Sequence, residues 1–349
     1  MKILQFCNED TGTAWQRTQV FKRFNSENEV LFHSFLKKKQ NIAQRIIRAF
    51  FHRLYIPLEQ SNENKRLLNL VSTKTFDILF IEKCLTLKPK TLRSIKKMHP
   101  ILRIICYTLD DCQGKGNISF YFIKCIPYYD LIATNKKHNI DFYKKHNTKK
   151  VFYFRNAFST DVHKPIEVTN NNINKFGADV TFIGHYEKMR ADYLYFLAEH
   201  GINVKIWGWG EDSKKTGILH KNIFNTNKHV YFDDFAKVIN SSKICLNFLR
   251  KANHDTETTR TIEIPACKGF MLSENSVEQK ELFEEDKEAV YFNDKNELLE
   301  KIYFYLKNDI LRKKIAQSGY NRCIESNYSY DNQLRKIIEV LNHGNKKEL

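Results

Sequence analysis

The sequence predicts an α/β protein made of two doubly wound domains. Short apolar runs that end in polar residues alternate with helical stretches through both halves, the pattern of parallel strands covered by helices. The alternation stops once, in "TDVHKPIEVTNNNINKFGAD", where Pro165 and a run of Asn leave no apolar period. That stretch is expected to be a linker between about 160 and 178. At 349 residues the chain is also too long for one small domain, and 42% apolar with 28% charged residues suits a soluble protein with real cores.

The elements follow in order. "KILQFC" is a buried strand, "NEDTGTAW" a polar turn holding Gly12 and Thr13, "QRTQVFKRF" a helix and "EVLFHSF" the next strand. "FDILFIEK", "LRIICYTLDD" and "YDLIATNKK" are further strands, with helices such as "KTLRSIKKM" between them, and "KVFYFRNAF" closes the first series. After the linker, "ADVTFIG" is a strand, "MRADYLYFLAEHG" a helix, "NVKIWGWG" a strand into a Gly turn, "DDFAKVINSS" a helix and "KICLNFL" a strand. "GFMLS" and "EAVYF" are short strands, "KNELLEKIYFYLKN" is a helix, and two more helices finish the chain. The expected domains are 1–165 and 176–325, with a closing helix at 326–349. Ligands of such sheets sit outside the carboxyl ends of the strands, and two such edges can face each other across a cleft.

One segment departs from this pattern. "KKKQNIAQRIIRAFFHRLY", about 37–55, sets Ile42, Ile46, Ile47, Phe50, Phe51, Leu54 and Tyr55 at helical spacing, with Lys37, Lys38, Lys39, Arg45, Arg48 and Arg53 around them. A basic amphipathic helix with aromatics suits an anionic bilayer surface, and an ordinary helix packed on the first sheet has the same stripe. The net charge of +17 admits nucleic acid, an anionic membrane or phosphorylated small molecules as partners, or a Lys-rich surface that is merely solvated. No RRM, KH or zinc-finger pattern is present and the basic residues are spread along the chain, so no specific nucleic-acid partner is expected. The eight cysteines form no CxxC pair and no tight Cys/His cluster, as expected of reduced buried thiols. The start meets Glu9 and Asp10 too soon for a signal peptide, and no apolar run nears the roughly 20 residues of a spanning helix, so a cytoplasmic location is expected.

Several residues are candidates for chemistry. In "TFIGHYEKMR", Gly184 ends a strand, a helix N-terminus follows, and Arg190 can reach back to the same anion. "IWGWG" supplies a second strand-end pair, Gly208 and Gly210, without the third glycine of a dinucleotide fingerprint. In "HDTETTRTIEIPACKGF", Asp255 and Glu263 lie eight apart with Arg260 and Thr261 between them. At a helix start, Glu263 would lie beside free N–H groups and could accept from the vicinal hydroxyls of a ribose; it could equally be a carboxylate that complements the helix dipole. "LDD" places Asp110 and Asp111 at a strand end, suiting either a metal pair or an acceptor-side role in which Asp110 orients or deprotonates a hydroxyl. The histidines, His163 and His254 among them, show no ligand spacing; they suit solvated or packing roles, with His254 beside Asp255 the one placed to touch substrate.

These motifs together resemble the GT-B glycosyltransferases of the family 4 type, most closely their CgeB-like branch. The resemblance runs through "TGTAWQRTQVFKRF", "FDILFIEK", "YTLDD" and "YDLIATNKKHNIDFYKK" in the first half. In the second half it runs through "DVTFIGHYEKMR", "IWGWG", "KICLNFLR", "DTETTRTIEIPACKGFMLSEN", "ELFEEDKEAVYF" and "SYDNQLRKIIEVL". It covers nearly the whole chain, and the basic helix is the least matched part. It implies two Rossmann-like domains with the last helix crossing back to the first. The family's paired acids fall on Asp255, facing the donor sugar, and Glu263, holding the ribose. Asp255 replaces the family's Glu with a shorter reach. The family's diphosphate-binding Gly, Arg and Lys fall on Gly184, His185 and Arg190, with Arg260 a second phosphate contact; His185 carries full charge only when protonated. Gly12 and Thr13 would meet the diphosphate or the acceptor from the first domain. The implied activity is transfer from a nucleotide-sugar to a glycan or lipid-linked acceptor in surface polysaccharide or glycoconjugate synthesis, retaining and with no cofactor or obligatory metal. A protein or small-molecule acceptor stands as the alternative, with a basic nucleic-acid-binding protein as the alternative from a different class, and a peripheral position at the inner face of the plasma membrane is consistent with the basic helix.

Overall fold

Among the described residues, two separate six-stranded sheets form, and every pairing in both is parallel. The structure, a computed structural model, describes residues 1–8, 12–25, 27–33, 41–59, 61–114, 116–210 and 220–342. The chain divides into two units: Met1–Arg155 joined by the segment from Asp331 onward, and Asn156–Tyr330.

In the first unit the order along the chain is β1 (Ile3–Cys7), α1 (Gly12–Phe24), β2 (Glu29–Phe32), α2 (Ile42–Arg53), α3 (Glu63–Thr73) and β3 (Ile78–Glu82). It continues through α4 (Pro89–Met98), β4 (Arg103–Thr108), α5 (Phe120–Cys125), β5 (Leu131–Thr134), α6 (Ile140–Lys145) and β6 (Val151–Tyr153). The sheet runs β2-β1-β3-β4-β5-β6, so the strand order reverses between β1 and β3. Strands covered on both faces have no solvent side, which is why β1, β3, β4 and β5 are near-continuous apolar runs. Leu4, Phe6, Leu79, Ile81, Ile104 and Ile132 pack with Leu67 of α3, Leu92 of α4 and Phe122 of α5 in one core.

In the second unit α7 (Asn170–Phe176) leads into β7 (Ala178–Ile183), α8 (Lys188–Glu199), β8 (Val204–Trp207), β9 (Ile223–Asn225), α9 (Asp233–Ser241) and β10 (Ser242–Asn247). Then come α10 (Thr259–Ala266), β11 (Met271–Glu274), α11 (Val277–Leu282), β12 (Val290–Phe292), α12 (Lys295–Lys307) and α13 (Asp309–Glu325). The sheet order is β12-β11-β10-β7-β8-β9. Counted from β7, this is 3-2-1-4-5-6, the Rossmann order, with its reversal between β7 and β10. The last helix, α14 (Tyr330–Asn342), belongs from Asp331 on to the first unit. There Asp331 pairs with Arg23 at 2.7 Å and Gln333 accepts from the Tyr107 hydroxyl at 3.1 Å.

Three sequence expectations look different here. The polar stretch at 160–178 lies within the second unit, because its groups find partners there: the Ile166 N–H donates to Asn240, and residues 170–176 form α7, capped by the Thr169 hydroxyl. The basic helix is α2, shorter than 37–55; Lys37, Lys38 and Lys39 lie outside the described residues. It also is not packed on the sheet, since none of its side chains is buried. α3 and α11, which the sequence expectations did not place, both contribute buried residues. All eight cysteines are buried, and none is in a disulfide.

Candidate functional site

In the second unit the loops after β7 and β10 lie at the reversal of strand order, where the carboxyl ends of the sheet open a crevice. Gly184 follows β7, and its N–H donates to the Trp207 carbonyl at 3.0 Å. A Cβ on Gly184 would meet the Phe182 ring at 2.6 Å, and one on Gly208, at φ +97°, would meet the Gly184 carbonyl oxygen at 2.8 Å. The two loops therefore approach each other more closely than any side chain allows. Gly210 follows at the end of the β8 loop, with His229 nearby.

Cationic groups gather at this edge. Arg190, on α8, donates to the His185 carbonyl at 3.2 Å and to the Phe248 carbonyl at 3.5 Å, tying the end of β10 to the loop after β7. It is buried and takes its first role from those carbonyls. Burial lowers its pKa, with Glu187 opposing, but an arginine keeps its charge. Burial, then His229, Arg250, Arg190 and Arg260, push the His185 imidazole down, so at neutral pH it offers a hydrogen bond without charge. Arg250 pairs with Glu187 at 3.0 Å and remains half exposed. Arg260 is partly exposed, stacks on the Phe235 ring at 4.7 Å, and donates to the Ile183 carbonyl at 3.2 Å.

Arg260 sits in the first turn of α10, whose leading N–H groups have no intrahelical acceptor. A buried polar network fixes that turn. The Thr258 N–H donates to the Thr261 hydroxyl at 3.1 Å and the Thr258 hydroxyl to the Asn247 side chain at 2.9 Å. The Asn247 amide lies within bonding distance of Thr261, Ser273 and Gln279, and Thr261 donates to Gln279 at 2.8 Å. Thr261 is 0% exposed. Its hydroxyl, expected from the sequence to meet the donor, holds the helix start in this structure.

Glu263 also stands differently from the expectation of a helix start. α10 begins at Thr259, so Glu263 lies in the second turn, buried, paired with Arg260 and 3.6 Å from His163 Nε2. The Ser159 N–H donates to His163 Nδ1 at 3.0 Å, which makes Nδ1 the acceptor and leaves the proton on Nε2, facing Glu263. Burial pushes the His163 pKa down to about 4, against the pull of Glu263. Asp255 is half-buried and accepts from the Asn253 amide at 2.8 Å. Glu257, two residues on, is buried and accepts from the Asn156 N–H at 2.8 Å.

The first unit has its own opening at its reversal point. A pocket of about 260 Å³ is lined by Asn8, Thr13, Arg17, Glu82, Tyr107 and Asp110, at the ends of β1, β3 and β4. Gly12, the first residue of α1, adjoins Thr13. Arg17 is clamped to Glu82 at 2.6 Å and lies over the Tyr107 ring at 4.7 Å. Asp110 pairs with Lys83 at 2.6 Å and is partly exposed, whereas Asp111 is buried, accepting from the Gln113 N–H at 2.9 Å and facing His138 at 3.1 Å. The two aspartates thus pair with different groups.

Residues 190–339 match the family model described as glycosyl transferase-like. Over the whole length, the structure is similar to HepE of Anabaena in complex with UDP-glucose, at TM-score 0.65 and 13% identity, covering 98% of this chain and 99% of that one. Sucrose-phosphate synthase of Thermosynechococcus elongatus aligns at TM-score 0.69 and 8% identity over 98% and 99%. A glycosyltransferase from Rickettsia africae aligns at TM-score 0.62 and 14% identity over 97% of each chain. The chain has the GT-B fold. No curated protein matches at the level of sequence. Within the GT-B frame the second unit contains the whole described part of the matched segment up to Tyr330.

Sequence reasoning missed Arg250, Asn247 and Glu257, and gave His163 a solvated or packing role without its partner Glu263. Arg250 carried a usable signal, since "KICLNFLR" ends a strand on a cation just as "TFIGH" ends one on His185. His163 and Asn247 carried none, because their roles arise from contacts with α10 far along the chain.

Proposed function

We propose that this chain is a glycosyltransferase that moves a sugar from a nucleotide-sugar to a glycan or lipid-linked acceptor. The observation that carries the reading is the convergence of Arg250, Arg260 and the first turn of α10 on the Rossmann reversal point between β7 and β10. A diphosphate needs such a place: positive side chains and free N–H groups at a strand edge with no Cβ in the way at Gly184 and Gly208. The HepE structure holds UDP-glucose, which puts uridine donors first in the order of testing.

In this reading Arg250, Arg260 and the α10 N-terminus stabilise the leaving diphosphate, the part a metal plays in other transferases. Glu263 addresses the ribose hydroxyls once ligand draws Arg260 toward phosphate. Asp255 lies on the donor-sugar side, and Gly184, His185 and Arg190 shape the diphosphate loop. In the first unit, Thr13 and Asp110 contact the acceptor, with Asp110 accepting or orienting the attacking hydroxyl. Retention of configuration, membership of the family 4 type and its CgeB-like branch, a cytoplasmic location and a part in surface polysaccharide synthesis belong to the same proposal.

The test is a thermal-shift and calorimetric panel of nucleoside diphosphates and their sugar derivatives. One base should stabilise the fold, and so raise the melting temperature, with the logarithm of ligand over its dissociation constant, by about 2.7 kcal/mol at a hundredfold excess. If no nucleoside diphosphate of any base stabilises the protein, the donor site is wrongly assigned.

A further inference from the structure

Helix α2 is a formed helix with its apolar face uncovered. Asn41 caps it by accepting from the Gln44 N–H at 2.8 Å, and the Gln44 side chain returns to the Asn41 N–H at 3.3 Å. Such a reciprocal cap stabilises the helix without any partner. Ile42, Ile46, Phe50 and Leu54 follow at four-residue intervals and so share one face, with Ile47 beside them. Ile42 is 76% exposed, Ile46 64% and Phe50 59%. Single residues of these types are exposed elsewhere, as at Ile101 and Ile310, but α2 gathers several on one helix face. The exposed face continues at Phe120, at the start of α5, whose N–H donates to the Tyr55 carbonyl at 2.7 Å.

The charge around this face is of one sign. From Val30 to Leu58 the sequence contains no Asp or Glu, while Lys37, Lys38, Lys39, Arg45, Arg48 and Arg53 fall inside that run. By helical angle Arg53 falls between Ile42 and Ile46 and Arg45 flanks the stripe on the Ile42 side, while Arg48 lies opposite. A second copy meeting α2 with α2 would bring arginines against arginines with no carboxylate in the segment to offset them. An anionic surface meets both the apolar stripe and the cations beside it. Length fixes the orientation: 12 residues rise about 18 Å, well short of the roughly 30 Å hydrocarbon core, so the helix can lie along the surface and not cross it.

We propose that α2 is a membrane-surface anchor that inserts Ile42, Ile46, Phe50 and Leu54 into an anionic bilayer with its arginines at the headgroups. The inference is independent of the activity proposed above. It fits a lipid-linked acceptor, but it stands or falls on lipid binding alone.

The test is flotation of the purified full-length chain with vesicles of phosphatidylcholine alone and vesicles that also contain phosphatidylglycerol. Wild type is expected to float with the anionic vesicles, to be released by raised salt, and to bind phosphatidylcholine at least about tenfold more weakly. Ile46→Ser with Phe50→Ser should abolish flotation. Arg45→Gln with Arg53→Gln should weaken it by about fivefold per arginine. Both double variants should keep the wild-type melting temperature, because no replaced side chain is buried. Three results would each overturn the proposal: no flotation of wild type with anionic vesicles, equal flotation of the serine variant, or a lipid-free dimer that the serine variant converts to monomer.

Discussion

Acidification should destabilise the second unit through one residue, His163. Its imidazole is buried, with its pKa pushed down from the usual 6.5 to about 4. The sign follows from which state binds the proton. Between about pH 6.5 and 4 the unfolded chain protonates this histidine and the folded one does not, so stability is fully present above 6.5 and is lost as pH falls toward 4. At 1.36 kcal/mol per pH unit, the loss is about 2 kcal/mol between pH 7 and 5 and about 3 kcal/mol by pH 4. The comparison variant is His163→Gln, whose amide oxygen can accept from the Ser159 N–H and whose amide N–H can face Glu263, but which does not titrate. Urea unfolding is followed by fluorescence in a Trp15→Phe background, so that the signal comes from Trp207 and Trp209 of the second unit alone. Wild type should lose about 2 kcal/mol more than the variant on going from pH 7 to 5. Equal losses would show that His163 is not held neutral against Glu263, and the account of that contact would fail.

Three further outcomes are expected. Arg260→Gln should weaken a nucleoside diphosphate by about tenfold or more and the free nucleoside much less, since a hydrogen bond to a charged group contributes roughly 1.5–3 kcal/mol; calorimetry with both ligands decides it, and equal losses would remove Arg260 from the phosphates. Thr261→Val keeps the shape but removes the hydroxyl that receives the Thr258 N–H and donates to Gln279, so the second unit should lose about 1–3 kcal/mol in urea unfolding; an unchanged midpoint would show that the network does not hold α10. Gly208→Ala should cost more than Gly201→Ala, although both glycines have positive φ. At Gly201 a new Cβ meets nothing within 4 Å, whereas at Gly208 it meets the Gly184 carbonyl oxygen, so the excess loss in melting temperature measures how tightly the two loops abut.

The strands were legible because a parallel strand covered on both faces is a run of apolar residues, whatever it packs against. The helix at "KNELLEKIYFYLKN" was legible without its cap, which the structure shows to be Asp294, accepting from the Asn296 and Glu297 N–H groups at the head of α12. The limits were those of distance along the chain. Glu263 looked like the start of a helix because Arg260 and Thr261 before it are polar; the helix begins earlier because Asn247, at the end of β10, holds Thr258 and Thr261 in place. His163 fell in a stretch without period, yet the fold sets it on Glu263, 100 residues later in the sequence.

The helix α2 marks the boundary most sharply. A stripe of Ile42, Ile46, Phe50 and Leu54 has the same period whether it faces a sheet or faces outward, so sequence spacing cannot separate a packed helix from an anchor. Exposure separates them, because a packed stripe would be buried and this one is open. Charge then narrows what can cover it, since a long run without a carboxylate accepts an anionic partner and resists its own copy. The two glycine-lined loops and the cations after β7 and β10 follow the same logic on the polar side. Positive groups that were spread through the sequence become a site only where strand order brings their loops to one edge.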